Sequence, residues 1–288
     1  MSDASSASAP PVSLLLRTWR RLPDTLRAIV SGFAVLTIGG GVSGALMFAN
    51  LALTPRIPWF LPATAVWLWL FWRYLDGAGW PASTSQARAQ ALRASRLSAR
   101  QWTWATIAGS LAVTAAMGVA FVTYRYAALP EAAYQAPFDV AGLPWWTLAS
   151  IFAAVALTAG VVEEAAFRGY MLSGVERRHG WVIAIAVVTL VFYVAHLSHA
   201  YATLAFALFF LLHGLAFGLL VWVTRSIVPG VVLHTLSDVV VLPMQYGVVP
   251  SAGQWDFVSN GWLSAIAAIA AIPAFWRLAV VCRTGKAP

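Results

Sequence analysis

Eight apolar stretches, near residues 28–53, 57–75, 102–124, 145–172, 181–199, 201–224, 227–243 and 261–281, occupy most of this chain. Each approaches the roughly 17 to 25 residues needed to cross about 30 Å of hydrocarbon. In lipid, every backbone N–H and C=O must be satisfied within the protein, so stretches of this length fold as helices. The expected class is therefore all-α: a polytopic membrane bundle of about eight transmembrane helices around a buried polar centre. The chain is 60% hydrophobic and only 10% charged, too little polar surface for an ordinary soluble fold.

The stretch at 227–243 is short and carries His234 and Asp238, and the arginines argue for counting it. With a cytosolic N-terminus, the inner side takes Arg17, Arg20, Arg21, Arg27, Arg73, Arg88, Arg93, Arg96, Arg100, Arg168, Arg177, Arg178, Arg225, Arg277, Arg283 and Lys286. The outer side takes only Arg56 and Arg125. This asymmetry is the one short loops show under the positive-inside rule, and it alternates only if all eight spans exist. Trp59, Trp80, Trp145, Trp146, Trp181 and Trp262 fall near span ends, where interfacial anchors belong.

The predicted organisation is a polar and basic tail over 1–26, a transmembrane domain over 27–281 with its polar motifs in 145–243, and a tail over 282–288. The first apolar stretch is about twice a secretory signal core and is taken as an uncleaved span. Residues 81–101, with Arg88, Arg93, Arg96 and Arg100, suggest a basic amphipathic helix on the cytosolic face. The net charge of +8 comes without a basic run interleaved with aromatics, so membrane lipids, not nucleic acid, are the expected partners of the arginines. The single cysteine, Cys282, leaves no internal disulfide and no cysteine metal cluster.

Chemistry is expected where ionisable groups sit at bilayer depth, because such groups are rare there and mark functional sites. Glu163 and Glu164 lie in the fourth stretch with Arg168 one turn on. Counted from the polar turn at 176–180, Glu163 and His196 both fall about 21 to 24 Å away at 1.5 Å per residue. His234 lies about 14 Å beyond Arg225, with Asp238 one turn further on the same face. Glu164 and Arg168 are spaced for a helical ion pair, which leaves Glu163 as the unpaired carboxylate. His199 and His213 read as structural histidines, and Gly214 and Gly218 as positions of close helix packing. Ser173 has no base beside it, and no Gly-x-Ser-x-Gly supports serine chemistry.

The ordered strings Glu163-Glu164-x-x-x-Arg168, Phe192-x-x-x-His196 and His234-x-x-x-Asp238 resemble the CAAX-protease and bacteriocin-processing (CPBP) intramembrane protease family, in its type II CAAX prenyl endopeptidase-like form. The third motif of that family commonly ends in Asn, where this chain has Asp238. The resemblance implies an intramembrane endopeptidase acting on a peptide or lipidated protein substrate, in a multi-pass protein of the bacterial inner membrane with both termini cytosolic. It implies that Glu163 and His196 activate a water and that His234 and Asp238 stabilise the oxyanion, with Glu164 and Arg168 completing the catalytic set and Phe192 lining the pocket. No cofactor is expected; the alternative is Zn2+ held by Glu163, His196, His234 and Asp238. Two other classes share such buried groups: a proton-coupled transporter, for which no inverted repeat is visible, and a non-catalytic binding or immunity protein.

Overall fold

The computed structural model describes residues 18–19, 21–134, 142–245 and 257–284. Arg17, Arg20 and Lys286, with most of the N-terminal tail and the last four residues, lie outside them. The described chain is helical: α1 Asp24–Leu53, α2 Phe60–Leu75, α3 Ser85–Leu92, α4 Ala99–Tyr126, α5 Trp145–Thr158, a π-helix Ala159–Met171, α6 Leu172–His196, α7 Ala207–Thr224, α8 Val228–Gln245 and α9 Phe257–Thr284. Five helical stretches are long and apolar enough to cross a membrane, and the continuous one over Trp145–His196 runs for 52 residues. At 1.5 Å per residue that exceeds two bilayer thicknesses, and the chain reverses within it at Gly180, where φ is 78° and ψ 169°. Rings on either side of the reversal meet: Phe167 and Phe192 lie edge to face at 5.0 Å. This stretch therefore folds back as two helical arms, and with the shorter α2 and α8 the described residues form the all-α membrane helix bundle that the sequence predicts.

The last helix places small side chains inside and large ones outside. Along α9, Ala267, Ala271 and Ala274 are buried while Ile266, Ile269, Ile272 and Trp276 are exposed. That inversion suits a surface facing lipid, where packing of small residues, not removal of apolar area from water, joins helices. The six tryptophans assigned to span ends are all exposed. Gly214 and Gly218 of α7 lie against Thr189 and Ile185 of α6, so they are packing positions as expected. Gly160 matters more: a Cβ there would stand 2.9 Å from both the Thr235 backbone nitrogen and the Val231 carbonyl oxygen, so only glycine lets the π-helix lie directly on α8.

Two expectations fail at the arginine-rich end of the bundle. Residues 81–101 do not form one amphipathic helix on the membrane surface. A short 3-10 turn, Ala82–Thr84, leads into the eight-residue α3, which ends at Arg93 in the left-handed conformation (φ 57°). The Ala91 and Leu92 carbonyl oxygens of α3 lie against Gly169 of the π-helix, and Ser173 donates to the Ala91 carbonyl oxygen at 2.8 Å. Arg88 is buried, because its guanidinium satisfies chain-reversal carbonyls better than it would a lipid surface. Arg168 is likewise no loop arginine but a buried ion-pair partner. The α3 and α7 ends are tied together by Glu176, which pairs with Arg93 at 2.5 Å and Arg225 at 2.8 Å.

Candidate active site

The fourth pass changes helix type where its ionisable residues begin. Glu163, Glu164 and Arg168 all lie in the π-helix, a rare geometry found mostly at functional sites and then usually as a single turn. Thirteen residues is unusually long, and nothing in apolar periodicity signals it. The Glu164–Arg168 pair anticipated from the i,i+4 spacing is present, with Arg168 Nη1 3.1 Å from Glu164 Oε1.

The structure sorts the six motif residues into two levels. The inner level is dry: the side chains of Glu164, Arg168 and His234 are 0%, 2% and 6% exposed. His234 Nδ1 donates to Glu164 Oε1 at 3.0 Å, so Glu164 joins α8 to the π-helix as well as pairing with Arg168. Arg168 stacks over the Phe192 ring at 4.4 Å and reaches His213 Nδ1 with Nη2 at 3.4 Å. A buried charge is tolerated only when paired and hydrogen-bonded, and this cluster meets that requirement with one carboxylate, one histidine and three aromatic faces.

The outer level is accessible. Glu163, His196 and Asp238 expose 20%, 14% and 20% of their side chains. Glu163 Oε2 stands 3.8 Å from His196 Nε2, across the α6 reversal as the depth count anticipates. His196 Nδ1 lies 2.8 Å from the Phe192 carbonyl oxygen. A carbonyl can only accept, so Nδ1 carries the proton and the Nε2 lone pair of a neutral ring faces Glu163. Two acceptors directed at one space are satisfied by a donor between or beside them, and water is the smallest that fits. Asp238 Oδ2 lies 3.6 Å from His234 Nε2, beyond hydrogen-bond length, so His234 has a carboxylate beside each ring nitrogen.

These groups line a cavity of about 180 Å³ shared with Phe192, His199, Tyr201 and His213, far more than one water requires. Glu163 also faces a second cavity of about 220 Å³ between α1 and α5, lined by Gly40, Ser43, Gly44 and Ala154. Phe192 is buried at the back of the wall, stacked parallel to His213 with centroids 5.3 Å apart. His199, expected to be a structural histidine, is exposed at the cavity mouth, with its ring 5.5 Å from that of His196. His213, likewise expected to be structural, lies 4.9 Å from the His234 ring and closes the floor. The spacing of Phe209, His213 and Phe217 on one face of α7 was the available signal for its inward position.

The donors present do not assemble a metal site. Among the described residues no group of three or more His, Cys, Asp and Glu side chains is placed to hold a metal ion. His234 Nδ1 is occupied by Glu164 and His196 Nδ1 by a backbone carbonyl, so the two rings offer only their Nε2 atoms, each opposite a different carboxylate.

No curated protein and no solved structure matches the chain. The model of the type II CAAX prenyl endopeptidase Rce1-like family matches residues 144–240, which run from the start of α5 to two residues past Asp238 and contain all six motif residues. Over these residues the chain is similar to the Rce1-like family of type II CAAX prenyl endopeptidases.

Proposed function

We propose that this chain is an intramembrane endopeptidase in which Glu163 is the general base. The observation that carries the reading is the exposure split: of two adjacent glutamates, one is sealed against Arg168 and His234 while the other faces the cavity opposite the His196 lone pair. In the proposed step, Glu163 takes a proton from a water held between it and His196 as the water oxygen attacks the peptide carbonyl carbon. The carbonyl oxygen gains the charge, and His234 Nε2 and Asp238 line the position where it develops. A carboxylate beside an oxyanion repels it, so Asp238 assists only when it carries a proton or when His234 balances its charge. Collapse breaks the C–N bond, and Glu163 returns the proton to the leaving amine. A positioned base contributes about 10² to 10⁴ in rate. The scheme needs no metal.

The cavity mouth bears on the substrate. Its lining climbs α8 from His234 to Leu242, away from Arg225, and includes Tyr124 at the α4 end opposite Arg100, with His199 and Tyr201 beyond α6. The floor, closed by His213 with Phe217 and Arg168 buried behind it, faces the arginine-rich end. With arginine-rich loops in the cytosol, the substrate is a peptide or membrane-anchored segment presented from the non-cytosolic face, in a bacterial inner membrane.

The test uses purified protein in detergent and in vesicles of both orientations, with a membrane-impermeant peptide and lipopeptide library. Cleavage in detergent and in right-side-out vesicles, lost in Glu163→Ala and unaffected by chelator, is expected. Cleavage only in inverted vesicles overturns the sidedness, loss on chelation overturns the metal-free step, and no cleavage in detergent overturns the protease reading.

A further inference from the structure

A polar cavity lies away from the candidate active site, on the arginine-rich face. It measures about 730 Å³ and is enclosed by the start of α1, α3, the end of the π-helix and the α6 turn. Four arginines line it, Arg27, Arg88, Arg177 and Arg178, against one carboxylate, Asp24. Asp24 is taken by Arg27. Among the described residues no ion pair involves Arg88, Arg177 or Arg178, whereas Arg93 and Arg225 share Glu176 and Arg168 has Glu164.

Arg88 is the unusual member. It is 6% exposed, and all five of its N–H groups go to neutral acceptors: the carbonyl oxygens of Tyr74, Ala78, Gly79 and Pro81 and the Thr84 hydroxyl. Its hydrogen-bonding capacity is spent but its charge is not neutralised, so it acts as a fixed positive field at the cavity wall. Beside it, the Tyr170 hydroxyl is buried and has no hydrogen-bond partner, although buried hydroxyls are nearly always paired. Arg177 and Arg178 stand exposed at the rim with donors free to turn inward. A fixed buried cation, a hydroxyl with no partner among the described residues and two exposed guanidiniums form a receptor for a group with several anionic oxygens. At a cytosolic membrane edge, basic pockets between helices hold anionic headgroups.

We propose that this cavity is a binding site for a phosphate-bearing anion, most naturally the phosphodiester headgroup of an anionic lipid, with Arg177 and Arg178 as direct ligands and Arg88 as a fixed positive charge.

The experiment titrates full-length protein in neutral detergent with dioctanoyl phosphatidylglycerol, dioctanoyl phosphatidylcholine or inorganic phosphate, following the melting temperature. A ligand that binds only the folded state raises it with mass-action saturation. Arg177→Gln/Arg178→Gln is compared with Arg96→Gln/Arg100→Gln, which removes the same charge from exposed positions of the same face outside the cavity. The expected result is a saturable rise with phosphatidylglycerol and none with phosphatidylcholine. It should be weakened about 30-fold in the cavity variant, at roughly fivefold per surface arginine, and unchanged in the control. Inorganic phosphate reaching the same plateau assigns the site to free phosphate instead of lipid. Equal responses to the two lipids, or equal weakening in both double variants, overturns the site.

Discussion

Two neighbouring glutamates should fail in different ways when each becomes glutamine, and the difference separates a chemical role from a structural one. Glu164 is fully buried, 3.1 Å from Arg168 and 3.0 Å from His234. Glutamine keeps its volume and one acceptor but removes the charge, leaving Arg168 as a buried cation beside only a histidine and aromatic faces. Removing one partner of a buried pair costs about 3 to 5 kcal/mol. The retained acceptor puts Glu164→Gln near the lower figure. At about 2 to 4 °C per kcal/mol for a domain somewhat smaller than this, the melting temperature should fall by about 6 to 12 °C. Glu163 has one long contact, 3.8 Å to His196, and is partly exposed, so Glu163→Gln should shift melting by less than about 2 °C, in the range of ordinary surface changes. It should nonetheless lower peptide hydrolysis by about 10² to 10⁴. The assay pairs thermal unfolding in detergent with initial rates of peptide cleavage below the melting range. Glu163→Gln melting as early as Glu164→Gln, or Glu164→Gln remaining fully stable while losing activity to the same degree as Glu163→Gln, would refute the two-level assignment.

Asp238→Asn replaces a carboxylate 3.6 Å from His234 Nε2 with a group that can donate. It should keep cleavage within about tenfold of wild type or raise it, by the scale of one positioned donor, while a larger loss measured by kcat would give Asp238 an ionised role. Gly160→Ala should drive the π-helix off the Thr235 and Val231 backbone, costing about 1 to 3 kcal/mol as overpacking. Both melting temperature and kcat should fall, because Glu164 and His234 lie on the two elements forced apart. In the arginine-rich turn, burial raises the Glu176 carboxyl but the Arg225 and Arg93 hydrogen bonds outweigh it, holding it below its ordinary value of 4.5. A depressed carboxyl contributes stability above its unfolded value, lost as pH falls through the folded one. Glu176→Gln should therefore melt earlier by about 1 kcal/mol at pH 7, and the gap from wild type should close on acidification below about pH 4; a gap that persists there would remove the charge from the account.

Much of the fold was legible because lipid leaves few choices. Eight apolar stretches, arginines on alternate ends and tryptophans at the edges fix helices and their order, and the helices appear within a few residues of those limits. What failed was the segment after α2. Arg88, Arg93, Arg96 and Arg100 look like one basic face, but the pattern cannot tell that Arg88 turns inward to collect carbonyl oxygens or that Arg93 caps α3 against Glu176. Those acceptors belong to the irregular chain at 74–81 and to α6, so the signal is tertiary.

The candidate site was legible to the extent that it is one-dimensional. The depth count brings Glu163 to His196 because both are measured from one reversal, and Phe167 and Phe192 confirm that geometry by meeting across it. It places His234 at the same layer only coarsely, and the structure shows the finer fact that His234 belongs with Glu164. The reason lies in helix type. A π-helix sets successive side chains around the axis differently from an α-helix, and no residue between Ala159 and Met171 announces it. Its consequence is functional. The ion pair that spacing alone assigns to helix register instead anchors, through Glu164, the histidine opposite the cavity, while Arg168 anchors Phe192, whose carbonyl fixes the His196 tautomer. In the proposed mechanism Glu164 and Arg168 are thus positioning residues for both halves of the site, and the cost of burying their charges is met by their mutual pairing and the His234 hydrogen bond.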